Sequence, residues 1–306
     1  MRDVIIIGSG PAGYTAGIYT ARAGLKPLLI ASSVEAGGEL MKTTEVENFP
    51  GFPDGLQGPE LMANFQAQAE RFGTEILLDD VVEVDLKGDV KIVKTGGGET
   101  FEAKTVILAT GAAYRELGLP REKELSGHGV SWCATCDGFF FREKTIAVVG
   151  GGDSAMEEAS FLTRFASKVH LIHRRDTFKA SKIMQDRALA NPKIEVIYNS
   201  EIAELHGDAK LESVTLRNTV DGSTSELALD GLFIAVGNDP RVWLVENQIE
   251  LTAEKFIQVE GRSSKTSLPG VFACGDVIDP TYRQAITAAG SGCVAALDAE
   301  HYLANH

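Results

Sequence analysis

The stretch Asp3-Val4-Ile5-Ile6-Ile7-Gly8-Ser9-Gly10-Pro11-Ala12-Gly13 decides the fold. A continuous apolar run of strand length enters a glycine-rich turn, and a helix-compatible segment then continues to Gly24. The plan returns at Thr145-Ile146-Ala147-Val148-Val149, followed by Gly150-Gly151-Gly152-Asp153-Ser154-Ala155 and a second helix-compatible stretch to about Ala166. Both copies fit Gly-x-Gly-x-x-Gly/Ala between a strand and a helix. In that setting, backbone N–H groups at the helix N-terminus can hold the pyrophosphate of a dinucleotide. One match alone can be a tight connection with no ligand. Two matches with the correct flanks in one chain favour a duplicated dinucleotide-binding module.

Outward from the turns, each copy closes with a similar strand, Val106-Ile107-Leu108-Ala109-Thr110-Gly111 in the first and Leu232-Phe233-Ile234-Ala235-Val236-Gly237 in the second. Each also holds a hairpin-like alternating segment, from Val81 to Thr95 around Lys87-Gly88-Asp89 and from Leu211 to Leu229 around Asp221-Gly222. Asn238-Asp239-Pro240 reads as a hinge, and the tail after it is too short for a third module, so it is expected to return and complete the first. The expected fold is α/β, with two Rossmann-like modules of three-layer ββα character. The second, residues 114–240, is inserted into the first, residues 1–113 and 241–306.

The two modules differ where the second strand of each ends. An acid that would hold a ribose 2′-OH about 20 residues after the turn is absent from the first, where Ile30-Ala31-Ser32 stands. Glu35 lies beyond that strand and is not assigned the ribose. In the second module Lys168-Val169-His170-Leu171-Ile172 runs into His173-Arg174-Arg175-Asp176-Thr177-Phe178-Lys179, a cation cluster that suits a 2′-phosphate and hence NADPH. Lys182 and Arg187 read as solvated surface.

Cys133-Ala134-Thr135-Cys136-Asp137 precedes the second module's first strand. Two thiols at this spacing can close a small disulfide ring, and Asp137 is near enough to give or take a proton. Zinc would need two further ligands, and beside this pair there is no second Cys-x-x-Cys and no His pair at metal spacing, so no metal is expected. Cys274 and Cys293 sit in apolar runs and read as buried, unreactive thiols. Phe139 and Phe140 read equally as core or as an exposed docking anchor. Gly275-Asp276, followed by Tyr282-Arg283-Gln284-Ala285-Ile286 at the start of a long final helix, could hold a flavin by polar contacts.

The chain has 306 residues, 44% hydrophobic and 24% charged, which excludes wholesale disorder and fibrous structure. Its net charge of −14 repels nucleic acid and anionic membranes, so any bound phosphate must be held by a local device. No apolar stretch approaches the roughly 20 residues that span a bilayer. The first residues carry no leader-like pattern, so the expected location is the cytoplasm. Four cysteines are too few for a disulfide scaffold.

Together, Gly8 to Gly13, Glu45-Val46-Glu47-Asn48, Ala109-Thr110-Gly111-Ala112, Cys133 to Phe140, Gly150 to Ala155, His173-Arg174-Arg175 and the segment from Gly275 to Ala285 closely resemble the low-molecular-weight, prokaryotic-type thioredoxin reductase family. The resemblance runs essentially end to end. It implies an FAD enzyme, a homodimer, that passes electrons from NADPH through flavin to its own dithiol and on to thioredoxin. Implied FAD contacts are Gly8, Ser9, Gly10, Pro11, Ala12, Gly13, Gly37, Gly38, Glu39, Thr44, Asn48, Ala109, Thr110, Gly111, Gly275, Asp276, Arg283, Gln284 and Ala285. Implied NADPH contacts are Gly151, Gly152, Asp153, Ser154, Glu157, His173, Arg174, Arg175, Lys179 and Gly237. The resemblance also makes Cys136 the thiol beside the flavin, Cys133 the thiol that attacks thioredoxin and Asp137 the acid/base. The nicotinamide and the dithiol belong to one module and would take turns at the flavin by rotation about the two chain crossings.

Three positions depart from the family pattern. Glu39 replaces a frequent Gln, so a carboxylate either turns away from the flavin or tunes its potential. Lys179 replaces a frequent Arg, keeping the charge without bidentate geometry. His128 stands where an Arg contacting thioredoxin is expected. Rival readings are an NADPH-flavin reductase for another thioredoxin-like protein or a peroxidase partner, and a redox-sensing or zinc-binding interaction protein built on an inactive dinucleotide fold.

Overall fold

A computed structural model describes residues 1–34, 36–43 and 45–306. The chain forms two compact units, Met1–Ala113 with Asp239–His306 and, between these segments in sequence, Tyr114–Asn238. The strands Ala112–Tyr114 and Asn238–Pro240, which contain the two crossings, pair as a short ribbon. The segment that reads as a hinge is therefore itself a strand.

In the first unit the strand Arg2–Ile7 lies between Leu28–Ala31 and Thr100–Leu108, parallel to both. Val4 and Ile6 enter one cluster of buried residues, and Ile5 and Ile7 enter another. A strand covered on both faces needs an unbroken apolar run, which explains the lack of alternation in this segment. One face carries the helices Pro11–Arg22, Gly58–Arg71 and Ala285–Asn305. Strand Thr100–Leu108 pairs with three strands: its first half is antiparallel to Lys91–Thr95, and its last residues are parallel to both Arg2–Ile7 and Val271–Ala273. Through Val271–Ala273 the tail joins the sheet that the N-terminus begins. The hairpin turn around Lys87-Gly88-Asp89 connects Val81–Asp85 to Lys91–Thr95.

The second unit holds a five-stranded parallel sheet with Thr145–Val149 between Lys168–Ile172 and Gly231–Ile234. Helices Asp153–Leu162 and Lys182–Leu189 cover one face. A three-stranded antiparallel sheet, Ser200–His206, Ser213–Asn218 and Thr224–Ala228, contributes to the core on the other. Both units are Rossmann-like α/β layers. Helix Asp153–Leu162 stops four residues short of the expected Ala166, in a turn where Ala166 N–H still reaches Leu162 O. No helix among the described residues is long and apolar enough to cross a membrane.

Candidate active site

The first glycine turn is set by close backbone approaches. A Cβ on Gly8 would stand 2.2 Å from Ala109 O, and one on Gly13 would stand 1.9 Å from Gly8 O, so neither position admits a side chain. Gly8 also has φ +110°, which favours glycine. Gly10 differs, because a Cβ there would meet nothing within 4 Å. It caps helix Pro11–Arg22 with no side-chain hydrogen bond, and Pro11 occupies the first turn. First-turn N–H groups lack a side-chain cap beside open space, which fits the pyrophosphate of a dinucleotide.

Among the other expected flavin-site residues, Gly37, Gly38 and Gly275 lie against this turn. Gly37 N–H donates to Ser9 Oγ at 2.9 Å, and a Cβ on Gly38 would lie 3.3 Å from Gly10 Cα. Gly275 lies against Ala12, since its Cβ would stand 3.0 Å from that of Ala12. Asn48 Nδ2 donates to Gln284 Oε1 at 3.4 Å, and Gln284 closes a capping box on helix Ala285–Asn305. Arg283 has φ +49° and its N–H donates to Asp279. Thr110 Oγ1 donates to Arg241 O, and Arg241 N–H donates to Gly111 O. Thr44 lies outside the described residues. Glu39 pairs with Arg241 at 2.5 Å and with Lys42 at 3.9 Å. Its charge is thus matched within the same unit. Burial, with Asp279 adding, pushes Asp276 up to about 6.

The second turn repeats the device with different partners. A Cβ on Gly150 would meet Ala235 O at 2.4 Å and the Ala155 methyl at 2.6 Å. Gly151 lies beneath the His173 ring, and Gly152 caps helix Asp153–Leu162 at a point where a Cβ would meet nothing within 4 Å. The His173 nitrogens lie 3.1 Å from Gly150 O and 2.9 Å from Thr177 O, so the ring joins the turn to the following loop. Lys179 N–H donates to Gly151 O, and Asp153 Oδ1 accepts from both Ser181 N–H and Oγ. Arg174, Arg175, Lys179, Ser154 and Glu157 are exposed. Gly237, with φ +107°, would bring a Cβ to 3.3 Å from the Arg115 guanidinium. Lys182 pairs with Asp186, in keeping with a surface role.

Cys133 and Cys136 are joined as a disulfide, with Cα atoms 5.3 Å apart, at the start of the short helix Ala134–Asp137. Cys136 is exposed and Cys133 half-buried. Burial raises the pKa of Asp137, against a hydrogen bond from Ser131 that lowers it. Phe139 and Phe140 are 48% and 37% exposed, with the Arg142 guanidinium over the Phe139 ring, whereas Phe141 is core.

A profile of the pyridine nucleotide-disulphide oxidoreductase family matches residues 2–292. A thioredoxin reductase of Streptomyces clavuligerus is 63% identical over 304 residues, 99% of this chain and 94% of that protein. The chain belongs to the thioredoxin reductase family. A bifunctional thioredoxin reductase/thioredoxin of Mycobacterium leprae is 54% identical over 306 residues, 100% of this chain and 67% of that protein. A solved thioredoxin reductase from Giardia duodenalis aligns with a TM-score of 0.94 at 44% identity, over 99% of this chain and 100% of that one.

In this thioredoxin reductase family member, two residues near the expected sites lie outside the motifs read from the sequence. Arg241 is 202 positions from the Glu39 it pairs with, and nothing local to either residue announces the contact. Ser131 differs, because its place two residues before Cys133 is itself a local signal. One expectation is corrected. Cys274 is buried and its thiol is pushed up to about 12, but Cys293 is only half-buried. Cys293 faces Tyr19, an exposed residue of helix Pro11–Arg22, so an apolar run in sequence does not become an interior position there.

Proposed function

We propose that this chain is an NADPH-dependent thioredoxin-disulfide reductase, carrying FAD on residues 1–113 and 241–306 and binding NADPH on residues 114–240. The observation that carries the reading is the Cys133–Cys136 disulfide in a chain of this family. Bound FAD would supply a two-electron relay between a hydride donor and that disulfide. Gly10 and the first turn of helix Pro11–Arg22 would hold its pyrophosphate, with Asp276, Asn48 and the Arg283 to Ala285 segment giving polar contacts. Gly152 would serve the NADPH pyrophosphate in the same manner. Arg174, Arg175 and Lys179 would meet the 2′-phosphate, and His173 would pack beneath the loop that carries them.

The residues of the dithiol turn divide the thiol chemistry among them. Cys136 takes the flavin side, Cys133 attacks the disulfide of thioredoxin, and Asp137 exchanges protons with the thiols. Phe139 and Phe140 offer an apolar anchor to the protein substrate. The working form is a homodimer in the cytoplasm, where Cys274 and Cys293 remain thiols.

The test is NADPH consumption by the purified flavoprotein with a panel of thioredoxin-like proteins. Cys133→Ser and Cys136→Ser should each abolish thioredoxin turnover while the flavin still accepts electrons from NADPH. Cys133→Ser should keep a long-wavelength thiolate-to-flavin charge-transfer band that Cys136→Ser lacks. Turnover surviving in either variant would overturn the reading. The band appearing in Cys136→Ser alone would exchange the two cysteine roles.

A further inference from the structure

Ser131 ends the short strand Val130–Ser131, held in register beside Phe233, and is 4% exposed. Its Oγ donates to Asp137 Oδ2 at 2.6 Å and accepts the Cys133 N–H at 3.1 Å. A hydroxyl has one proton to give, and the other acceptor within reach, Cys133 O, lies farther away at 3.5 Å. The proton therefore points at the carboxyl group while a lone pair receives the cysteine amide. The same turn closes from the other side, where Cys136 N–H and Asp137 N–H both donate to Cys133 O. Ser131 thus ties the acid to the backbone of one cysteine of the disulfide.

We infer that Ser131 is a positioning residue whose hydroxyl holds the Asp137 carboxyl in place for proton exchange with the thiols of Cys133 and Cys136. This rests on the reading of Asp137 as the acid/base. When a thiolate is protonated, the Asp137 O–H bond breaks, an S–H bond forms, and the negative charge passes to a carboxylate that the Ser131 O–H stabilises. The reverse transfer deprotonates a thiol. Burial works against the charged carboxylate, and the Ser131 bond works for it. Helix Asp153–Leu162 packs against the turn and brings Asp153, Glu157 and Glu158 on its own length. The remaining ionisable groups of the turn are the two thiols themselves. With the hydroxyl removed, that bond no longer opposes burial and Asp137 keeps its proton to higher pH.

Ser131→Thr and Ser131→Val make a test pair matched in shape, both β-branched as a strand prefers, and Ser131→Ala is the smaller control. All are measured as flavoproteins. Ser131→Val and Ser131→Ala should lower kcat/KM for thioredoxin by about ten-fold, the size of a hydrogen bond to a charged group, and move the limb of its pH profile that Asp137 sets to higher pH. Ser131→Thr should keep the wild-type profile. Flavin reduction by NADPH in a single turnover should stay within about two-fold throughout. On an Asp137→Asn background, Ser131→Val should cost nothing further, because the hydroxyl acts through the carboxylate. A Ser131→Val profile that coincides with the Ser131→Thr profile would remove this role from Ser131. So would an undiminished ten-fold loss on the Asp137→Asn background. A wild-type protein that fails to reduce any thioredoxin would instead overturn the proposed function, whatever the Ser131 variants do.

Discussion

The glycine turns at 8–13 and 150–155 fold the same strand-to-helix connection around a single methyl group, present in one and forbidden in the other. At the third position of the motif the first turn has Gly13, whose Cβ would lie 1.9 Å from Gly8 O, while the second has Ala155. The Ala155 methyl occupies the space that a side chain on Gly150 would need, at 2.6 Å. The middle glycines, Gly10 and Gly152, open onto free space in both. Helix-to-strand packing therefore tolerates variation between the copies, and the open cap does not vary. The two copies also differ in charge, with Ile30-Ala31-Ser32 against His173-Arg174-Arg175 at the ends of the second strands.

The sharpest break of that comparison exchanges the third residues. Gly13→Ala forces a methyl into a backbone carbonyl and should cost several kcal/mol, with loss of bound flavin, read from the melting temperature and the visible absorbance. Ala155→Gly removes a methyl from a helix and should cost only about 1 kcal/mol, with NADPH reduction of the flavin retained. Equal costs would mean that the two turns do not differ as their close contacts indicate.

A second exchange concerns the cations. Each charge-assisted contact to a 2′-phosphate contributes on the order of 1.5 to 3 kcal/mol, so replacing Arg174 and Arg175 by Ala should lower the NADPH to NADH ratio of kcat/KM by roughly 10² to 10⁴. Steady-state rates with both nucleotides measure this directly. An unchanged ratio would move the phosphate site elsewhere.

A pH-dependent effect separates the halves by a shielded acid. Asp276 in the first unit has a folded pKa raised from 3.8 to about 6, chiefly by burial. Below about pH 4 the carboxyl is protonated whether the chain is folded or not, and its contribution is complete. As pH rises from about 4 to 6 the unfolded chain ionises first, and this part of the stability is lost. The loss is at most about 3 kcal/mol for a shift of roughly two units. In flavin-stripped protein Asp276→Asn should therefore raise the melting temperature at pH 8 and leave it nearly unchanged at pH 4. Equal shifts at both pH values would exclude this linkage.

What the sequence determined is the part of the protein written in short spacings. Runs such as Val4 to Ile7 name a strand covered on both faces, two glycine turns name helix N-termini open to a ligand, and Cys133-x-x-Cys136 names a dithiol. Each of these rests on atoms a few bonds apart, so the order of residues nearly specifies the geometry. Cation clustering at Arg174 and Arg175 was legible for the same reason, and Phe139, Phe140 and Phe141 show where legibility stops. Three adjacent Phe look alike in sequence, yet two are exposed and one is core. Tertiary structure alone decided that Glu39 is matched by Arg241, that Asp276 is shielded enough for its pKa to rise, and that Cys293 is only half-buried. Electrostatics and burial depend on which distant segments are brought within a few ångströms, and only the folded chain sets those distances.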